Sequence, residues 1–293
     1  MEITPSLLLL QLVTGIALGA VYALLALGLS LIFGMLGVVN FAHGAFFMVG
    51  AFIGLYFLGL TGNFWFSLVL TPLVVGAVGL VTERFLVRPL YGRGIDYPLL
   101  LTFGLSWVLI EAMRVLFGIG GLPSSTPAAL RGAVDLGFGY FPKYRLFLIA
   151  ATAVVVAALW LFLEKTRYGL IIRAGSRDGE ILKVLGVDVA RVWLLVFALG
   201  TAIAGLSGVL AAPTRAVNPE MGIPVLAESF VVTVVGGMGS LPGAVVAGML
   251  VGIVFSMTSL FAPDLADLSI FVLMALVLLV RPQGFFGKPG MLG

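Results

Sequence analysis

Few side chains in this 293-residue chain can do chemistry, and most of them lie inside or beside apolar runs. Asn40 and His43, the only histidine, sit with Gly44 in GMLGVVNFAHG (34–44). Ser229 and Thr233 lead into VVGGMGSLPG, where Gly236, Gly237, Gly239, Ser240 and Pro242 crowd together. Glu111 and Arg114 stand three apart within an apolar segment, and Glu228 opens another. Such groups suit hydrogen bonding and ion pairing in a membrane, where ionisable residues are expensive and are paired or functional. The absence of cysteine excludes disulfides, thiolate metal sites and cysteine nucleophiles. No catalytic or metal-ligating set is assigned, and no cofactor is expected on this chain. ATP hydrolysis would need G-x-x-x-x-G-K-[ST]. The only Gly-Lys pair, Gly287-Lys288, runs into Pro289 and lacks the earlier glycine. The energy for any transport must come from a partner or from an ion gradient.

The elements that would hold these residues are membrane helices. The chain is 61% hydrophobic and 10% charged, with mean hydropathy +1.21, whereas a soluble domain carries about 25% charged residues. A span needs roughly 20 apolar residues. Candidates are Leu7–Phe33, Gly44–Leu60, Phe64–Val81, Pro98–Gly118, Leu146–Leu163, Val192–Ala211, a broken region from Ala227 to Phe261, and Leu268–Val280. The expected fold is an all-α polytopic bundle of about eight membrane segments, forming one domain over 1–293. The start, MEITPSLLLL, has no basic stretch before its apolar run, so the first segment is expected to remain as a span.

Basic residues orient the bundle, because cytoplasmic loops collect Lys and Arg. Loops 82–97 and 164–191 and the tail hold eleven of the 16 Lys/Arg; the opposite side holds Arg131, Lys143, Arg145 and Arg215. This places the N-terminus outside and the C-terminus in the cytoplasm. Region 227–261 must then begin and end outside, either as a re-entrant segment near 227–243 with a return or as two crossings. The shortness of Ala227–Val235 favours re-entry.

Backbone without helical hydrogen bonds is tolerated at membrane depth only inside protein or along a wet cavity. The glycines of GGMGSLPG permit unusual backbone angles and close approach. Ser240 suits an N-cap and Pro242 the first turn of the following helix. Two readings stand: a discontinuous helix beside a translocation path, or a tight interface of small residues. In the first, freed N–H groups around Gly236–Ser240 would help a zwitterion pass. The break at 34–44 is a weak echo, since His43-Gly-Ala and Pro242-Gly-Ala each open a glycine-dotted apolar helix. Asn40 and His43 are path-lining or structurally satisfied groups. Ser229 and Thr233 line a path or bond their own backbone. Glu111 and Arg114 can pair on one helix face, and Glu228 is expected to face water on the outer side.

The longest polar stretch, 164–191, reads EKTRYGLIIRAGSRDGEILKVLGVDVAR. Ser176 can cap a short helix, Asp178 and Glu180 suit its positive end, and Gly186 can stop it. Ile181, Leu182 and Leu185 would share one face. The segment reads as a docking element or as an ordinary basic loop.

Three motifs in this order, NFAHG (40–44), RYGLIIRAGSRDGEILKVLGVD (167–188) and VVGGMGSLPGAVVAG (234–248), resemble the permease subunits of branched-chain amino acid ABC importers. These importers carry two related permeases, and the resemblance, over nearly the whole chain, is nearer to the shorter. It implies a heterodimer with a second permease, two cytosolic ATPase subunits holding ATP and Mg, and an extracytoplasmic substrate-binding protein. It implies the cytoplasmic (inner) membrane of a bacterium or archaeon, and no nucleic-acid partner. It assigns ATPase coupling to Arg173–Asp188, with Arg173, Asp178, Glu180, Gly186 and Asp188 at matching positions. Leu182 departs from the small Ala often found there. The rival reading is an ion-gradient-driven carrier of a small polar solute. Proton or sodium coupling usually leaves an ionisable group deep in the membrane, and none of the expected spans carries a carboxylate at its middle. From topology, the outer loop 212–226, with Arg215, Asn218 and Glu220, is the expected contact with the binding protein.

Overall fold

The computed structural model describes residues 4–175, 182 and 184–287. Among them are ten α-helices and one small hairpin: α1 (Pro5–Leu36), α2 (His43–Thr61), α3 (Phe64–Thr82), α4 (Asp96–Phe117), β1 (Ala133–Asp135), β2 (Tyr140–Pro142), α5 (Lys143–Lys165), α6 (Arg167–Gly175), α7 (Val189–Ala211), α8 (Gly222–Gly236), α9 (Leu241–Phe261) and α10 (Ala266–Val280). Eight helical stretches are long and apolar enough to cross a membrane; α8, with 15 residues, falls short. At 1.5 Å per residue α8 covers about 22 Å of a core roughly 30 Å thick.

Local chemistry sets the helix ends. Thr4 accepts from the Leu7 N–H to cap α1, and Asn63 accepts from Trp65 and Phe66 to cap α3. Gly37 (φ 64°) stops α1 in the left-handed conformation that glycine adopts without penalty. α3 runs on through a wide turn, Glu83–Val87, into Arg88–Leu90.

α1 is the buried central helix. It packs antiparallel along α9 through small residues. A Cβ on Gly15 would lie 2.7 Å from the Ile253 backbone, and one on Gly19 would lie 2.7 Å from the Gly248 carbonyl. Lipid gives helices little hydrophobic reason to associate, so such small residues let backbones close to van der Waals contact. α7 fills the other side of α1, with Gly200 against Gly28 and Ile32, and Gly208 against the Phe47 carbonyl of α2. Phe46, Phe47, Phe52 and Phe197 complete the adjoining core.

The two ends of the bundle differ. One carries Arg84, Arg88, Glu164, Lys165, Arg173 and Arg281, and we call it the basic end. There Glu83, fully buried, pairs with Arg88 at 2.9 Å and accepts from the Tyr91 hydroxyl at 3.1 Å. Arg88 also donates to the Ala190 carbonyl at 2.9 Å, tying the end of α3 to the start of α7. At the opposite end the hairpin precedes α5, Leu122 bridges Val217, and the Tyr144 hydroxyl donates to the Leu210 carbonyl.

Candidate translocation site

The two sequence breaks meet. Gly34, near the end of α1, lies against Gly239, and Gly44, at the start of α2, lies against the Gly222 carbonyl at the start of α8. The 237–240 turn therefore sits near the basic end, level with the last turn of α1, rather than halfway along the bundle. Gly237 (φ 98°) and Gly239 (φ 78°) take left-handed angles closed to most side chains. Ser240 caps α9 by accepting from the Gly243 N–H at 3.1 Å, and Pro242 follows in the first turn.

The turn's backbone is largely satisfied within the protein. The Gly237 N–H donates to Val234 and the Ser240 N–H to Gly237. The carbonyls of Val235 and Gly236 accept from the N–H groups of Phe285 and Phe286, at 2.9 and 3.0 Å. The segment after α10 is thus stitched onto the break, which removes the cost of leaving these carbonyls bare. The N–H groups of Gly237 and Ser240 are spent within the turn itself. The outer face of the turn, at Gly239, Ser240 and Pro242, lines a cavity of about 550 Å³ that also touches Ser30, Trp160 and Arg173.

His43 is fully buried, and its Nε2 lies 3.0 Å from the Leu25 carbonyl of α1. Asn40 accepts from the Ala42 N–H through Oδ1 at 3.0 Å. Both are tied to backbone, yet Asn40 Nδ2 and His43 Nδ1 make no hydrogen bond among the described residues. Ser229 donates to the Leu226 carbonyl at 2.7 Å, bonding its own helix, while the buried Thr233 Oγ1 makes no hydrogen bond among the described residues.

Sequence reasoning missed Tyr22. It is buried on α1 and its hydroxyl faces the Glu228 carboxylate of α8, whose Oε2 is buried with no hydrogen-bond partner among the described residues. Glu228 thus points into the bundle, not simply to water. No sequence signal links residues 206 positions apart on separate helices. Arg114 pairs with Glu111, as its spacing suggested, but also donates to Glu220 from Nε at 3.1 Å. That bond holds the Glu220 carboxyl below its ordinary range. Leu100, Phe103, Trp107, Glu111 and Arg114 form one stripe of α4, and Phe41 links Phe103 to Phe230 of α8, with ring centroids 6.5 and 5.3 Å apart.

At the basic end, Arg173 pairs with Glu164 at 2.6 Å. Asp188 caps α7 through the Arg191 N–H, and Gly186 (φ 77°) makes the left-handed stop its type suggests. Asp178 and Glu180, with Ser176 and Ile181, lie outside the described residues. Of the expected common face, Ile181 lies outside the described residues, and Leu182 and Leu185 do not share one: Leu182 is 5% exposed, close to Gly175, while Val184 and Leu185 are 88% and 70% exposed. Leu182 is therefore covered by the protein, while Val184 and Leu185 face outward.

A bundle of eight long apolar helical stretches, with a broken pair packed on a central helix, is the architecture of a polytopic membrane protein. Residues 11–280 match the family described as the permease component of branched-chain amino acid transport systems, and the chain belongs to that family. It is 33% identical to the high-affinity branched-chain amino acid transport system permease protein BraD of Pseudomonas aeruginosa, and 29% identical to LivH of Escherichia coli, each over 95% of both chains. It is also 28% identical to LivM of Escherichia coli, over 90% of this chain and 67% of LivM. A solved structure, PsaBC from Streptococcus pneumoniae in complex with Fab, aligns with 97% of this chain and 93% of that one, at 16% identity and TM-score 0.48.

Proposed function

We propose that this chain is one of two permeases in an ATP-driven importer of branched-chain or related amino acids, set in the cytoplasmic membrane with its basic end inward. The observation that carries the reading is the full-length match to the family, together with similarity to both LivH and LivM, two permease proteins named for the same kind of system. In this reading a second permease packs against the α4 stripe and α8, where Glu111 and Arg114 interrupt an otherwise apolar face. A charged pair at that position is costly against lipid and is better covered by protein. ATP and Mg reside on two cytosolic ATPases. Those subunits meet the segment from Arg173 to Asp188, including Asp178 and Glu180, with Val184 and Leu185 as apolar contacts. An extracytoplasmic binding protein selects substrate and docks at the end that carries the hairpin.

Transport follows from the same parts. ATPase closure pushes on 173–188, which is joined to α5 by the Arg173–Glu164 pair and to α7 by the Asp188 cap. The helices then rock about the α1–α9 seam, and the path beside Asn40, His43, Gly44, Thr233 and the 236–242 turn opens to one side at a time. The test is uptake of labelled leucine by proteoliposomes that hold the complete complex and its binding protein. Uptake that needs internal ATP and survives ionophores supports the reading. Uptake without ATP that collapses with a sodium or proton ionophore would replace it with a gradient-driven carrier.

A further inference from the structure

At the end opposite the basic one, a cavity of about 240 Å³ opens between α1, α5, α9 and the turn after α7. Arg145 and Arg215 both line it. Arg145 donates to Thr14 Oγ1 at 3.3 Å, and neither guanidinium forms a salt bridge with a carboxylate among the described residues. Glu228 lies within the field of Arg215 but makes no ion pair with it. Three of the neighbouring hydroxyls have spent their protons: Thr14 donates to Leu10, Thr214 to Ala211 and Ser256 to Gln11. The guanidiniums and the Ser259 hydroxyl are therefore available donors of the cavity. Two cations in one partly desolvated space repel, and each guanidinium offers the planar fork that suits an oxyanion. Arg145 also stands in the first turn of α5, at the positive end of the helix dipole, where no side chain caps the terminus. Below the polar rim the lining turns apolar, with Leu18, Val21, Leu148 and Phe255.

We propose that this cavity binds the oxyanion head of an amphipathic molecule. Arg145 and Arg215 hold the charge, and the apolar floor takes the adjoining carbon chain. Two molecules carry that chemistry in this setting. One is a phospholipid of the adjacent leaflet, its phosphate in the cavity and its chains outside. The other is a free aliphatic amino acid, its carboxylate on the arginines. The inference stands on the cavity and does not rest on the transport reading.

The experiment is thermal unfolding of the purified chain with its co-purifying partners, in a neutral detergent at fixed ionic strength. Phosphatidylglycerol, L-leucine and inorganic phosphate are titrated separately. Saturable stabilisation by phosphatidylglycerol or by leucine is expected, and which of the two acts identifies the source. The half-saturating concentration should rise at least about tenfold in Arg145→Gln/Arg215→Gln, a loss equal to one charge-assisted hydrogen bond. Ser259→Leu, which keeps both arginines and fills the rim, should weaken binding similarly, and it decides the matter where the double variant does not fold. Stabilisation by inorganic phosphate alone would overturn the amphipathic assignment. No saturable effect, or an effect that both variants leave unchanged, would overturn the site.

Discussion

At the scale of single residues, Glu83 is a charged side chain held wholly inside the protein. Its carboxylate is fully buried and meets Arg88 and Tyr91. Removing one partner of a buried pair strands the other, so Glu83→Ala should cost about 3 kcal/mol, the low end for such losses because Arg88 is partly exposed. Chemical or thermal unfolding in detergent reads this directly, and a cost below about 0.5 kcal/mol would place Glu83 with ordinary surface pairs. Glu220 differs, because it lies at the surface. Arg114 depresses its carboxyl, so its contribution is complete above the ordinary carboxylate range and fades as pH falls through the lowered value. Glu220→Gln should speed amide hydrogen exchange across 215–221 at neutral pH, with little change in melting temperature. Unchanged exchange there would mean that the Arg114 contact does not hold this loop.

Elements carry the next level of the account. The α1–α9 seam depends on backbones meeting at Gly15, Gly19, Gly248 and Gly252. Gly19→Leu must force the helices apart, and overpacking of this kind costs about 1–3 kcal/mol or more. The measurement is the melting temperature of the assembled complex, and a variant as stable as the parent would show that the seam tolerates a gap. The spans themselves were legible in the sequence, because 20-residue apolar runs have few alternatives to a membrane helix. Leu7–Phe33 became Pro5–Leu36, and Phe64–Val81 became Phe64–Thr82 with a continuation to Leu90. The break at GGMGSLPG was legible for the same kind of reason, since each residue there opposes a continuous helix. Its depth was not. The Gly34–Gly239 contact and the bonds from Phe285 and Phe286 join distant parts of the chain, and no local pattern encodes them. The nine-residue α6 and the three-residue strands were too short to leave a periodic signal.

At the scale of the whole molecule, two of the three proposed partner surfaces can be tested by substitution. The α4–α8 face bears Trp107, Glu111 and Arg114, and the basic end exposes Val184 and Leu185. The chain has no cysteine, so an introduced one reports cleanly. Trp107→Cys should form a disulfide or a short-linker cross-link to a cysteine on the second permease, whereas Phe85→Cys, on another exposed face, should not. Equal cross-linking at both positions would remove the proposed face. Replacing Val184 and Leu185 together with Ser should leave the permease folded, since both side chains stand clear of the core, and should lower ATP-driven uptake at least tenfold.

A permease driven by separate ATPases should come out of the membrane with them. A gentle-detergent pull-down of the tagged chain from its native membranes, with mass spectrometry of what accompanies it, tests this. Two copies of a P-loop ATPase, or one of each of two such ATPases, and a second, related permease are expected. A chain recovered alone, or only with copies of itself, would contradict it.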